Sequence, residues 1–270
     1  MTRLRLVLIT LALFLAGFVG FVWSAGPAPS DEQIVIPAKA SFSKGRFLAY
    51  AQPWGGQAMV WTRWWAPYAD AMAIHIADFP GKTTFNWRWP PLMPPNGPGV
   101  WGYDHIGYGN YDGGEPEVSV PAKRVRDVRS LKQSFAWRME APLGDGNVLT
   151  EFYLRSDPRE IDSKLLEIGW FLHTPPGTKR WIERSTPVGI WIDGEKRRWK
   201  VVRDDKFVMF MPVDGRDVAS GSLDMLPALH WLQEKGLVRG DEWLTGYAIG
   251  VEPTRGVGRL HLDRWQPTFD

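Results

Sequence analysis

The sequence contains no cysteine, which excludes disulfides, thiolate nucleophiles and thiolate metal sites. An excess of one charge is also missing. Thirty-two Lys and Arg face 30 Asp and Glu, and Arg3 and Arg5 precede the first acid, Asp31. Without that leading segment the chain is neutral, so charge gives no case for binding nucleic acid or an anionic surface. The five histidines, His75, His105, His173, His230 and His261, stand at no metal-ligand spacing, and neither a metal nor any other cofactor is expected. There is no Gly-x-Ser-x-Gly elbow and no phosphate-binding Walker loop. With 44% hydrophobic and 23% charged residues, extended disorder is not expected beyond the N-terminal region.

Aromatic residues, by contrast, are abundant, and tryptophan leads them, with 16 Trp against 13 Phe and 7 Tyr. Most serve packing, because an indole buries a large area. An indole face also fits the apolar face of a pyranose, so several are expected to contact sugar. Trp61, Trp64, Trp65, Trp87 and Trp89 flank turns and strands, and most of them are read as packing, without individual assignment. Lys196-Arg197-Arg198 and Lys123-Arg124 are read as solvated faces.

The chain opens with a basic segment, Met1 to Arg5, followed by an almost wholly apolar run from Leu6 to Trp23 and then Ser24-Ala25-Gly26-Pro27. This pattern predicts export, periplasmic or secreted, with residues 1–24 as a signal peptide or an uncleaved N-terminal membrane anchor. Residues 25–40 read as a linker and 41–270 as one domain. No membrane contact beyond that anchor is expected, and a monomer is.

Across the domain, period-two alternation broken by Gly, Pro, Asn and Asp predicts an all-β fold of many short strands. The strands are expected at 45–51, 57–63, 72–78, 100–109, 134–141, 147–155, 164–172, 188–192, 197–202, 206–212, 246–252 and 257–265. The turn Leu143-Gly144-Asp145-Gly146-Asn147 is expected to join two of them. One helix is expected near 223–235, where Leu226, Leu229 and Leu232 recur at helical spacing. Ser222 or Asp224 would cap it and Gly236 would end it. The fold class is therefore a β-jelly-roll sandwich of two antiparallel sheets with one α-helix.

Two glutamates stand out. In Leu166-Glu167-Ile168-Gly169-Trp170-Phe171-Leu172, the residues Leu166, Ile168, Trp170 and Leu172 form a core face, and Glu167 lies opposite with Gly169. In Tyr247-Ala248-Ile249-Gly250-Val251-Glu252-Pro253, Glu252 shares its face with Gly250 and Ala248. These small neighbours are expected to leave room above the sheet for a ligand. A carboxylate pair across such a groove is what glycoside hydrolysis uses, one as nucleophile and one as proton donor.

From about residue 45 to 269, the chain resembles glycoside hydrolase family 12, compact jelly-roll endoglucanases and xyloglucanases. Leu166-Glu167-Ile168-Gly169-Trp170 is similar to the family's nucleophile strand, Tyr-Glu-Ile-Met-Ile-Trp-Leu. Gly250-Val251-Glu252-Pro253 with the glycines at 256 and 258 is similar to its Gly-Thr-Glu-Pro acid/base turn. Asn147-Val148-Leu149-Thr150-Glu151 is similar to an Asn-Val-x-x-Asp strand whose acid contacts the nucleophile. Gln52-Pro53-Trp54-Gly55 keeps the Trp-Gly of a sugar-stacking loop, and Val100-Trp101-Gly102-Tyr103-Asp104 resembles a Val-x-x-Tyr-Pro strand. The resemblance implies Glu167 as nucleophile, Glu252 as acid/base and Glu151 beside Glu167. It implies substrate contacts from Trp54, Gln52, Trp101 and Tyr103. His105, two residues beyond Tyr103, is read as sharing that face. Gly169 in place of Met is expected to widen the cleft. The activity implied is retaining endo-hydrolysis of β-1,4-glucan, xyloglucan or a related exopolysaccharide, with the polysaccharide as sole partner. A non-catalytic glycan-binding module and a transglycosylase remain alternatives.

Overall fold

The computed structural model describes residues 3–24, 32–54, 68–94 and 99–270. The expected strand 57–63 and Trp61, Trp64 and Trp65 lie outside the described residues. In chain order the elements are α1 (Arg3–Ser24), β1 (Gln33–Pro37), β2 (Ser41–Lys44), β3 (Phe47–Tyr50), β4 (Ala69–His75), β5 (Thr83–Arg88), β6 (Asp104–Gly109) and β7 (Lys123–Arg124). There follow β8 (Leu131–Arg155), β9 (Lys164–His173), α2 (Pro176–Arg184), β10 (Thr186–Ile192), β11 (Arg198–Asp204) and β12 (Phe207–Pro212). The last are β13 (Ser220–Asp224), α3 (Leu226–Glu234), β14 (Trp243–Leu244) and β15 (Gly246–Phe269).

The two longest strands, β8 with 25 residues and β15 with 24, pair along most of their lengths, Leu131–Glu151 with Ala248–Phe269, and build both layers. The C-terminal half of β15 and the N-terminal half of β8 form an outer sheet, extended by β5, β4 and β1 on one side and β13 on the other. Their other halves form an inner sheet, extended by β6, β3 and β2 and by β9, β12, β11 and β10. Strands that bend from one sheet into the other make the corner of a sandwich. The expected turn at 143–147 is therefore corrected: the chain runs through it as one strand, bent together with its partner. The corner needs glycine on both strands. A Cβ on Gly256, which has φ +64°, would stand 2.0 Å from the Leu143 carbonyl, and one on Gly144 would stand 2.4 Å from the Val257 carbonyl.

Alternation along each strand sorts side chains between two apolar bodies. Leu166, Ile168, Trp170 and Leu172 enter the inter-sheet core with Phe152, Phe210 and Ile249. Phe171, Leu149, Ala248, Tyr103 and Tyr111 form a second cluster on the other face of the inner sheet. Trp87 and Trp89 are buried, as expected of packing residues.

Three further expectations need correction. The stretch expected as linker contains β1, which pairs with β4 from Gln33 to Pro37; Ile34 and Ile36 pack on the core. The sheets are not purely antiparallel, since β9 and β12 run parallel, with α2, β10 and β11 as the long crossover that parallel pairing requires. There are three described helices, not one. α3 starts later than expected because Ser220–Asp224 is strand β13; Asp224 accepts a 3.2 Å bond from the Leu226 amide, and Gly236 follows with φ +72°. α1 is 22 residues long, and its window Arg3–Gly20 has mean hydropathy 1.9 and no buried residue.

Two aspartates lie wholly inside the sandwich. Asp70 accepts a bond from Trp89 Nε1 at 2.5 Å, and Asp104 accepts one from the Gln52 amide at 2.9 Å. The second oxygen of each has no partner. Burial drives both pKa values well above the ordinary range, and the Asp70 charge raises Asp104 further.

Candidate active site

Three adjacent strands of the inner sheet, β15, β8 and β9, carry the acids. Glu252 pairs with Asn147, and Glu167 with Tyr153; Glu151 lies between, opposite Ala248 on one side and Gly169 on the other. Asn147, Glu151 and Tyr153 are odd-numbered positions of β8 and so share a face. With Glu167, Glu252, Trp54, Val100, Thr178, Trp181 and Phe207 they line one cavity of about 210 Å³.

Glu151 is 2% exposed and accepts a hydrogen bond from the Tyr111 hydroxyl at Oε1. Its Oε2 is buried with no donor in reach. Burial, then the charges of Glu167 and Glu252, push its pKa well up. A carboxyl in that state holds its proton, and it stands close enough to Glu167 that the two acids shift each other, Glu151 upward and Glu167 downward. Burial raises Glu167 to about 7, held down by its interaction with Glu151 and by the charge of Lys164. Lys164 lies 3.8 Å above the Tyr153 ring and 2.5 Å from Asp112. Glu252 is pushed higher, to about 8, by burial and by the charge of Glu167; a 2.8 Å bond from Asn147 Nδ2 opposes this. Of the pair Glu167 and Glu252, Glu252 is thus the stronger holder of a proton.

The other expected site residues separate. Trp54 is half-buried and lines the cavity that holds the three acids, its amide donating to the Trp101 carbonyl at 3.0 Å. Trp101 does not line it. That ring is 3% exposed and stacks on Trp89 at 5.0 Å, so it supports the Trp54 loop from behind. Gln52 does not line it either; its backbone is tied to Asp104 and Tyr103. Nor does Tyr103 line it: it is 2% exposed, its hydroxyl donating to the Leu149 carbonyl at 3.3 Å, and it packs in the apolar cluster with Leu149 and Ala248. His105 stacks on Tyr103 and lines a different cavity, of about 310 Å³, with Tyr50 and Tyr111. Burial lowers its pKa to about 4, which keeps it neutral.

Two local readings of small residues change. The space left by Gly169 is not open: a Cβ there would meet the Phe207 ring at 2.9 Å, so Phe207 fills it and becomes a wall. Gly250 is small because β6 comes close, with the Asp104 carbonyl 2.1 Å from a Cβ position. Tyr153 and Asn147 were within reach of the sequence, since period two from Glu151 selects both. Trp181 and Thr178 were not, because they lie on α2, where the sequence shows Pro-Pro-Gly and a run of charges. Trp181 is fixed by Asp204, which accepts from its Nε1 at 2.5 Å, and by contact with Phe207.

No protein-family model and no curated protein matches the chain. Solved structures do match. A family 12 xyloglucanase from Bacillus licheniformis aligns with TM-score 0.70 and 16% identity, over 88% of this chain and 100% of that one. Endoglucanase 3 of Trichoderma harzianum, from the same family, aligns with TM-score 0.65 and 16% identity, over 89% and 99%. The catalytic domain of a Humicola grisea family 12 protein, solved with a thio-cellotetraose, aligns with TM-score 0.68 and 14% identity, over 88% and 99%. This likeness gives the chain the jelly-roll fold of the glycoside hydrolase family 12 structures.

Proposed function

We propose that the protein is a retaining endo-hydrolase of a β-linked glycan, of the β-1,4-glucan, xyloglucan or related exopolysaccharide kind. The observation that carries this reading is the meeting of three carboxyl groups in one cleft, with different affinities for protons. Glu167, the more acidic of the reacting pair, attacks the anomeric carbon. Glu252 gives its proton to the departing glycosidic oxygen. In the second step Glu252 takes a proton from water, the water oxygen bonds to the anomeric carbon, and Glu167 leaves. Glu151 keeps its proton throughout and donates to Glu167, which localises negative charge on the attacking oxygen. Trp54 offers an indole face to a sugar beside the cleavage point, and Trp181 faces the same cavity. A glycan-binding module would use the two tryptophans but has no need of three acids gathered in one cleft, one of them fully buried, which costs stability. The structures with this fold include named endoglucanases and xyloglucanases, which favours the same reading. The long apolar N-terminal helix supports export, with the helix as signal or anchor.

The experiment is activity on a panel of β-glucans with analysis of the product anomer. Release of shorter chains with the β configuration retained is expected. Binding without cleavage on every glucan contradicts the proposal, and products longer than the substrate indicate transfer to sugar in place of water.

A further inference from the structure

Beside the catalytic cavity lies a second one, of about 320 Å³, whose lining includes Met93, Asp145, Thr178, Arg180, Thr254 and Arg255. Thr178 lines both cavities, so they adjoin. Thr254 and Arg255 come two and three residues after Glu252 on β15, which places this space next to the cleavage point.

Much of the lining is apolar, from Pro91, Leu92, Met93, Pro175 and Pro176, and the polar side chains set among it are mainly donors. Thr178 and Thr254 are 5% and 3% exposed, and no described residue bonds to either hydroxyl. α2 begins here with Pro175 at its N-cap, no side-chain cap and no acid in its first turn, so the Gly177 and Thr178 amides are uncapped at the helix's positive end. Arg180 forms no ion pair among the described residues. Asp145 is the one acid in the lining, 3.8 Å from Arg255, and it is shared with His173 at 3.7 Å. Two exposed guanidinium groups therefore share the lining with one carboxylate that is already divided between Arg255 and His173. A neutral sugar offers hydroxyls that need acceptors as well as donors, whereas a carboxylate needs donors alone.

We propose that this cavity seats the carboxylate of an acidic sugar adjoining the cleavage point, so that the favoured substrate is a β-glycan bearing uronic acid or other carboxylated units. The inference rests on the hydrolase reading above and narrows its substrate class. Arg180 would hold the carboxylate as a two-pronged donor, with Arg255 and the two hydroxyls completing the seat.

The test compares kcat/KM on a β-1,4-glucan oligosaccharide and on its C6-carboxylated counterpart of equal length. The wild type is expected to favour the carboxylated chain by about tenfold or more, as a charge-assisted contact allows, and to lose much of that preference in high salt. In Arg180→Ala the ratio should fall about tenfold, with partial recovery in Arg180→Lys, whose charge remains but whose fork is gone. Arg255→Ala should also lower the ratio. A wild-type ratio of one or less, or a ratio unmoved in both alanine variants, overturns the inference. If neither chain is cut, calorimetric binding of the same two oligosaccharides decides separately. Tighter binding of the carboxylated one, lost in Arg180→Ala, keeps the acidic seat and removes the hydrolase; cleavage of the neutral chain with no charge preference does the reverse.

Discussion

Glu151 works in this account as a protonated donor, and that can be separated from a role as a charge. In Glu151→Gln the amide still donates to Glu167 and its oxygen still accepts from Tyr111, so kcat is expected to fall only several-fold. In Glu151→Ala both bonds vanish and kcat should fall about a hundredfold or more, as for loss of a positioned polar group at a reacting centre; steady-state kinetics on one β-glucan reads both. The proposed mechanism also requires Glu167 ionised and Glu252 protonated. Values of about 7 and about 8 therefore predict a narrow bell in kcat/KM with its top between those limits, the two limbs belonging to the coupled carboxyls as a set. Asn147→Ala removes a bond that lowers Glu252, so its basic limb should move to higher pH. At this scale the sequence exposed much of the site. Strand alternation and motif order pointed to Glu167, Glu252, Glu151 and Trp54, and all four line one cavity. Gln52 and Trp101 misled because adjacency to Trp54 says nothing about orientation. In an irregular loop, backbone bonds and ring stacking decide which side chain turns toward the cleft.

Among the elements, β8, β15 and α2 decide the shape of the cleft. Local pattern revealed the halves of β8 and β15 but not their continuity, because glycines at a corner read like glycines at a turn. What distinguishes the two is pairing between residues far apart in sequence, which no short window contains. The same holds at Gly250, whose need for glycine comes from the β6 backbone. Gly250→Ala should destabilise the protein by about 3 kcal/mol through overpacking, visible as a lower midpoint in urea unfolding. Gly169→Ala meets a movable ring instead. It should cost less stability and displace Phe207 into the cleft, raising KM, and Phe207→Leu in the same chain should restore it. α2 escaped notice because only Thr178 and Ile182 are buried on it, too few for a periodic signal. Its Trp181 is nonetheless a cleft wall, and Trp181→Ala should raise KM as Trp54→Ala does.

The whole molecule carries a stability cost that depends on pH. Asp70 and Asp104 are buried with raised pKa values, so the folded state holds protons that the unfolded chain releases. Their contribution is complete below the ordinary value of 3.8 and is lost as pH rises toward the folded values. Asp104→Asn removes that dependence while leaving an oxygen to accept from the Gln52 amide. The variant should gain on the order of 1 kcal/mol over wild type at pH 8 and little at pH 4, measured by thermal unfolding at both. An equal change at both pH values would mean that burial does not hold Asp104 protonated as described.

Most directly, the assignment of nucleophile and proton donor is tested by azide rescue of Glu167→Ala and Glu252→Ala on a β-glucoside with an activated aryl leaving group. Each adduct is isolated and its anomeric configuration read by NMR. Without Glu167, azide enters the vacated space and displaces the leaving group in one step, so an α-glycosyl azide is predicted. Without Glu252, the glycosyl-enzyme still forms on Glu167 and azide then replaces that residue, so a β-glycosyl azide is predicted. The opposite pair of configurations would contradict the roles given to the two glutamates, and wild-type turnover with neither rescue would place the chemistry on other residues.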